Sequence, residues 1–156
     1  MKYSTSLKSG VSGFVLSLLI AGGAAASPLP VSGQYVAGNG TISKAGSKGL
    51  SIVQSSTTGI IDWKSFSIGK SNKVDFSNGS GATLNRVTGG DLSSIAGSLH
   101  ATGSVYVINS AGVVVGKTGR IDTGGTFAAS SGDISDDDFL GGKRLCFHGA
   151  QNNVTN

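Results

Sequence analysis

Glutamate is absent from all 156 residues, and there are only one Cys, one Trp, one Met and two Pro. Without Glu, the tuned general acid that sugar-cleaving enzymes draw on would have to come from Asp alone. Helix-propagating stretches of Lys, Leu and Ala are also missing beyond the first 26 residues. A lone Cys146 excludes an intrachain disulfide, and with only two His it excludes a zinc cluster. Cys146 itself reads as an incidental or buried thiol. Charged residues are 13% of the chain, twelve Lys or Arg against eight Asp, for a net charge of +4. Loss of Lys2 and Lys8 with a leader would leave ten against eight, or +2. There is no basic stripe and no aromatic interleaving, so nucleic acid is not an expected partner.

What is present is glycine, 26 residues of it, with much Ser and Thr and 38% apolar residues. That composition suits an all-β chain with many turns. Gly-rich disorder is the alternative, and regular apolar alternation argues against it. The stretch from Val74 to Ser131 repeats at a spacing of 22. Gly97-Ser98-Leu99 through Val105-Tyr106-Val107 falls on Gly119-Arg120-Ile121 through Phe127-Ala128-Ala129. One strand-forming run per period, with Gly at the corners, indicates a stacked solenoid. Leu99 is then expected on Ile121 and Val105 on Phe127, ~4.8 Å apart in interior ladders. A β-sandwich is the competing architecture.

The first residues carry an address. Lys2 and Lys8 precede an apolar run at 11–20, and Ala24-Ala25-Ala26 supplies small residues for a signal peptidase. Cleavage between Ala26 and Ser27 is expected, making residues 1–26 a signal peptide and 27–156 the exported domain. A membrane-spanning helix is the alternative, but the run is short of the ~20 residues a span needs. Pro28 and Pro30 follow directly.

Along the exported chain, short strands are expected at Thr41-Ile42, 50–54, 60–68, 74–76, 82–87 and 113–115, beside the two matched rungs. Leu92 to Ile95 is the single candidate for a helical turn. Trp63, in an alternating strand, is expected to plug the core or cap rather than form a ligand platform. His100 and His148 stand without a second His or a carboxylate at a ligand spacing, so no metal site is expected. Asp136-Asp137-Asp138 lacks the spacing of a calcium loop and reads as a solvated acidic turn.

Four segments then occur in order: Ile52-Val53-Gln54-Ser55-Ser56, Ile61 to Gly69, Leu84-Asn85-Arg86-Val87-Thr88-Gly89 and Ile108-Asn109-Ser110-Ala111-Gly112-Val113. With them the chain resembles the N-terminal secretion domain of filamentous-haemagglutinin-type proteins, the two-partner secretion family, and is especially similar to the high-molecular-weight adhesin branch. The resemblance covers about residues 31–142. It implies a right-handed parallel β-helix with an N-terminal cap. It also implies export by the general secretory machinery, then recognition by the periplasmic domains of a dedicated outer-membrane transporter. The domain would reach the cell surface or medium through the periplasm and seed folding of a longer passenger. A host surface or glycan would be bound only if such a passenger exists. No cofactor is implied.

By the same resemblance, Asn85, Arg86, Asn109, Ser110, Ala111, Gly112 and Val113 are candidates for transporter recognition. A structural role as coil corners is the alternative for each, and the two are compatible. The chain departs from the family where an Asn-Pro-Asn-Gly-Ile turn is expected and Asn109 to Val113 stands instead. It also has no Asn-Pro-Asn-Leu motif. Phe147, Val154 and Asn152-Asn153 look like a rung cut short, so a fragment or degenerate relative is a further expectation. A β-helical polysaccharide-acting enzyme is the competing function. Asp75 and Asp122 are the only strand-borne acids with repeat-like placement, they come from different coils and nothing supplies a partner, so no catalytic residue is assigned.

Overall fold

Ile60 and Ile61 are consecutive in the chain and both are fully buried. Only a strand covered on both faces allows that, and it fixes the arrangement of everything around it. The computed structural model describes residues 28–142, 144–149 and 154–155. In chain order the elements are β1 (Gln34–Ala37), β2 (Gly40–Lys44), β3 (Gly49–Gln54), β4 (Thr58–Trp63), β5 (Lys73–Ser77), β6 (Ala82–Val87) and β7 (Ser93–Ile95). There follow β8 (Ser98–Ala101), β9 (Ser104–Asn109), β10 (Val113–Val115), β11 (Arg120–Thr123), β12 (Phe127–Ser130), α1 (Asp136–Leu140) and β13 (Val154–Thr155).

The strands wind into a parallel β-solenoid of about four coils. One face is the sheet β1-β4-β6-β9-β12, the second is β11-β8-β5-β3-β2, and the third is β13-β10-β7. Pairing within the coils is parallel, while β1 on β4 and β2 on β3 are antiparallel. The two antiparallel strands form the expected N-terminal cap. They lay Tyr35 and Ile42 over the end of the core, with Leu29 beside them.

The ladders expected from the repeat are present. Ile121 pairs with Leu99 and Phe127 with Val105. Leu99 and Val105 are buried, but Ile121 and Phe127 are only partly so, because no further described strand stacks on β11 or β12. The spacing of 22 holds from β8 to β11 and β9 to β12 and, one coil earlier, from β6 to β9, but fails elsewhere. Lys73 pairs with Ser98, an offset of 25, and Gly49 with Lys73, an offset of 24. The corner between β5 and β6 runs from Asn78 to Gly81, whereas Thr102-Gly103 alone separates β8 from β9.

Two other expectations are corrected. Leu92 to Ile95 is not helical: Ser93 to Ile95 form β7, which pairs in parallel with β10 and buries Ser93 and Ile95. The Asp136-Asp137-Asp138 run is not a plain solvated turn but opens α1. Ser135 caps it, accepting from the Asp138 N–H while its hydroxyl donates to Asp138 Oδ2. Three acids in the first turn also suit the helix dipole.

Residues 131–142 and 144–149 leave the coil and cross the outer face of the first sheet. There Ile134 and Phe139 join Ile60, Leu84 and Ile108 in a second apolar cluster, with Tyr106, Leu145 and Phe147 at its border. Phe147 therefore belongs to this strap and not to a further rung. Val154-Thr155 does return to the stack, pairing on Val113-Val114 of β10. Asn152-Asn153 and the expected leader and cleavage site, Ala24, Ala26 and Ser27, lie outside the described residues.

Candidate functional site

The seven candidate recognition residues fall in two places. Asn85 lies mid-strand in β6 and faces inward between Ile61 of β4 and Val107 of β9. It has no exposed surface. An amide in an apolar core must be hydrogen-bonded, and this one is used at both ends. Its Oδ1 accepts from Trp63 Nε1 at 3.0 Å, and its Nδ2 donates to the Tyr106 carbonyl at 3.2 Å. Trp63 is the expected plug, 1% exposed and edge-on to Phe66 at 5.6 Å.

Asn109 ends β9 and is also fully buried. Its Nδ2 donates to the Asp91 carbonyl and to Ser93 Oγ, both at 2.8 Å, and its Oδ1 accepts from the Ala111 N–H at 2.9 Å. The Gly112 N–H closes the turn on the Asn109 carbonyl at 2.8 Å. Gly112 adopts φ 103°, a conformation that a side chain would strain. Ser110 is exposed at the tip, Ala111 is half-buried, and Val113 enters the core. The corner that Asn109 to Val113 builds thus reaches back to the preceding coil through Asp91 and Ser93.

Arg86, next to Asn85, points the opposite way, onto the outer face under the strap. Its guanidinium lies 2.8 Å from Asp136, 3.0 Å from Asp133 and 3.7 Å from Asp62, and it donates to the Ile134 carbonyl at 2.9 Å. Burial opposes the charge. Hydrogen bonds to Asp136 and Asp133 and their fields outweigh it, so the group is held cationic, above its ordinary pKa. Asn85 and Arg86 are chain neighbours serving two different cores.

Folding also joins residues that look isolated in the sequence. His100 is not without a carboxylate: Asp122, one coil on, lies 3.2 Å from its Nδ1. Asp75, His100 and Asp122 form an outward column along β5, β8 and β11. Asp75 is held by Lys73 at 2.8 Å. Among the described residues no three His, Cys or Asp side chains gather in a way that could hold a metal. Cys146 is exposed, and no described helix is long and apolar enough to cross a membrane.

A capped parallel solenoid is the geometry that the sequence resemblance implied. Residues 29–156 match the family described as the TPS secretion domain. The chain belongs to that family. The crystal structure of the HMW1 secretion domain from Haemophilus influenzae superposes with a TM-score of 0.67 at 33% identity, covering 72% of this chain and 30% of that one. Two proteins of the same species named heme/hemopexin-binding protein, one from strain Rd, are each 38% identical. The matches span 109 and 124 residues, or 69% and 74% of this chain. They take in 12% and 13% of those proteins, so the chain spans about an eighth of the relatives' length.

In this TPS secretion domain the residues that sequence reasoning missed are those of the strap. Ser135-Asp136-Asp137-Asp138 before Phe139-Leu140 is a capping-box pattern that would have located α1. Apolar Ile60, Leu84 and Ile108 on outward positions marked a second buried face. Nothing local marked Arg86 as their tether, since its partner Asp133 is 47 residues away.

Proposed function

We propose that the chain is the secretion-signal and folding-template domain of an exported filamentous-haemagglutinin-like protein, recognised by the periplasmic domains of a cognate outer-membrane transporter. The observation that carries this reading is the family match over residues 29–156, which takes in the cap, the four coils and the strap. The match begins just past the cleavage expected at Ala26-Ser27. It is consistent with a 1–26 signal peptide that hands the chain to the general secretory machinery. A surface or secreted destination through the periplasm follows from that route, and no catalysis is part of the role.

Burial constrains how the motif residues could serve recognition. Asn85 and Asn109 have no exposed surface in the folded domain. A transporter would meet them only while the chain is incompletely folded, when strand edges are also open to backbone pairing. Otherwise Asn109 acts by shaping the corner that carries exposed Ser110. Co-expression of the chain with its transporter, scoring protein in the medium, tests the reading. Asn109→Ala should lower secretion well below that of Lys117→Ala, a change at an exposed position. Equal secretion of the two variants removes the role of Asn109. Secretion that proceeds without any transporter removes the two-partner reading.

A further inference from the structure

In a simple solenoid each coil touches only its neighbours, so the ends fray and partial stacks are tolerated. The strap breaks that rule. Its chain emerges after β12 of the last coil, yet it packs on β4, β6 and β9 of the first three, and Ala37 of the cap lies at the border of the same cluster. Phe139 meets Tyr106 edge-on at 5.5 Å. Arg86 of the second coil binds Asp133, Ile134 and Asp136 across 47 to 50 residues of chain. The strap closes on itself through paired backbone bonds between Asp133 and His148, both 2.8 Å.

We propose that residues 131–149 are a latch whose closure couples the cap and the coils into one cooperative unit. The contacts it makes are between non-neighbouring coils, which is the one kind of contact that a stack of rungs cannot supply for itself. A corollary is an order of events. As the chain emerges from its N-terminus, the stack grows with Ile60, Leu84 and Ile108 uncovered and Arg86 without its strap carboxylates. The cooperative state is reached only when residues 133–147 have arrived. That corollary for export rests on the proposed secretion role; the coupling does not.

Hydrogen exchange of the purified chain in moderate denaturant tests it, read on β3, β5 and β8. These strands belong to another sheet, none of whose residues is in the apolar cluster under the strap. In the parent chain their protected amides should share one protection factor, as parts of a single unfolding event. Phe139→Ala and Arg86→Met should split them, with β8 exchanging about tenfold faster than β3. Leu99→Ala, in the interior ladder where β8 stacks on β5, should accelerate all three together. If Phe139→Ala does not fold, Arg86→Met decides alone, since it keeps the apolar contacts. A uniform acceleration in the latch variants, or a graded parent chain, overturns the proposal. Because no transporter is involved, either result leaves the secretion reading standing.

Discussion

Tyr35 shows how a single group in the cap sets a pH limit. Its hydroxyl is buried and finds no hydrogen-bond partner among the described residues. Burial pushes its pKa up to about 12. In the unfolded chain a phenol ionises near 10. The folded chain therefore holds a proton that the unfolded chain has lost, and stability falls as pH rises between about 10 and about 12, with no effect below that window. Tyr35→Phe keeps the ring and removes the unpaired hydroxyl. Urea denaturation should show a gain of about 1 kcal/mol at pH 7, and a larger gain over the parent at pH 11. The Asn109-Gly112 corner was readable at this scale because Asn and Gly declare turns by their own chemistry. The buried Asn85 was not, because its partners Trp63 and Tyr106 belong to adjacent coils and no local spacing announces them.

Corners decide where each strand begins, and Gly97 is the clearest case. A Cβ there would press into the carbonyl oxygens of Gly69 and Asn72 on the coil before it. Both are backbone atoms that cannot swing away. Gly97→Ala should cost about 3 kcal/mol, read as a lowered Tm. Gly79→Ala, where φ is 59° but the space is open, should cost about 1 kcal/mol. Corners also explain what the repeat concealed. A fixed spacing of 22 matched β8 to β11 and β9 to β12 because the register is unchanged across the corner between them. The four-residue corner Asn78 to Gly81 shifted β5 out of phase. Strand β7 escaped notice because it is three residues long and buries a serine, Ser93, beside Ile95. The Ser93 hydroxyl is satisfied there by Asn109, again a partner from another coil.

Across the whole molecule, position in the stack sets the energetic weight of each ladder residue. Val105 is completely buried between Thr83 and Phe127, while Phe127 is only partly buried, with no further described strand stacked on β12. Val105→Asp should cost about 4 kcal/mol, because an unpaired carboxylate would be buried. Phe127→Asp should cost less than half as much, because its carboxylate can reach water. Comparable unfolding midpoints for the two would show the coil register to be wrong. The solenoid itself was legible from alternation and Gly corners. The strap was not, since its packing partners are spread over three coils.

The reversal of direction in β1 and β2 has a consequence for how copies of the chain could meet. A stack of parallel coils with two equivalent ends would polymerise, each copy extending the next. Here the N-terminal end presents β1 and β2, which run against the coils, while no described strand covers β11 or β12 at the other. A second copy stacked on the cap in the same sense would meet strands of reversed direction, so the parallel ladder of the coils cannot run on from one copy into the next. The cap is a break in the repeat built into the monomer.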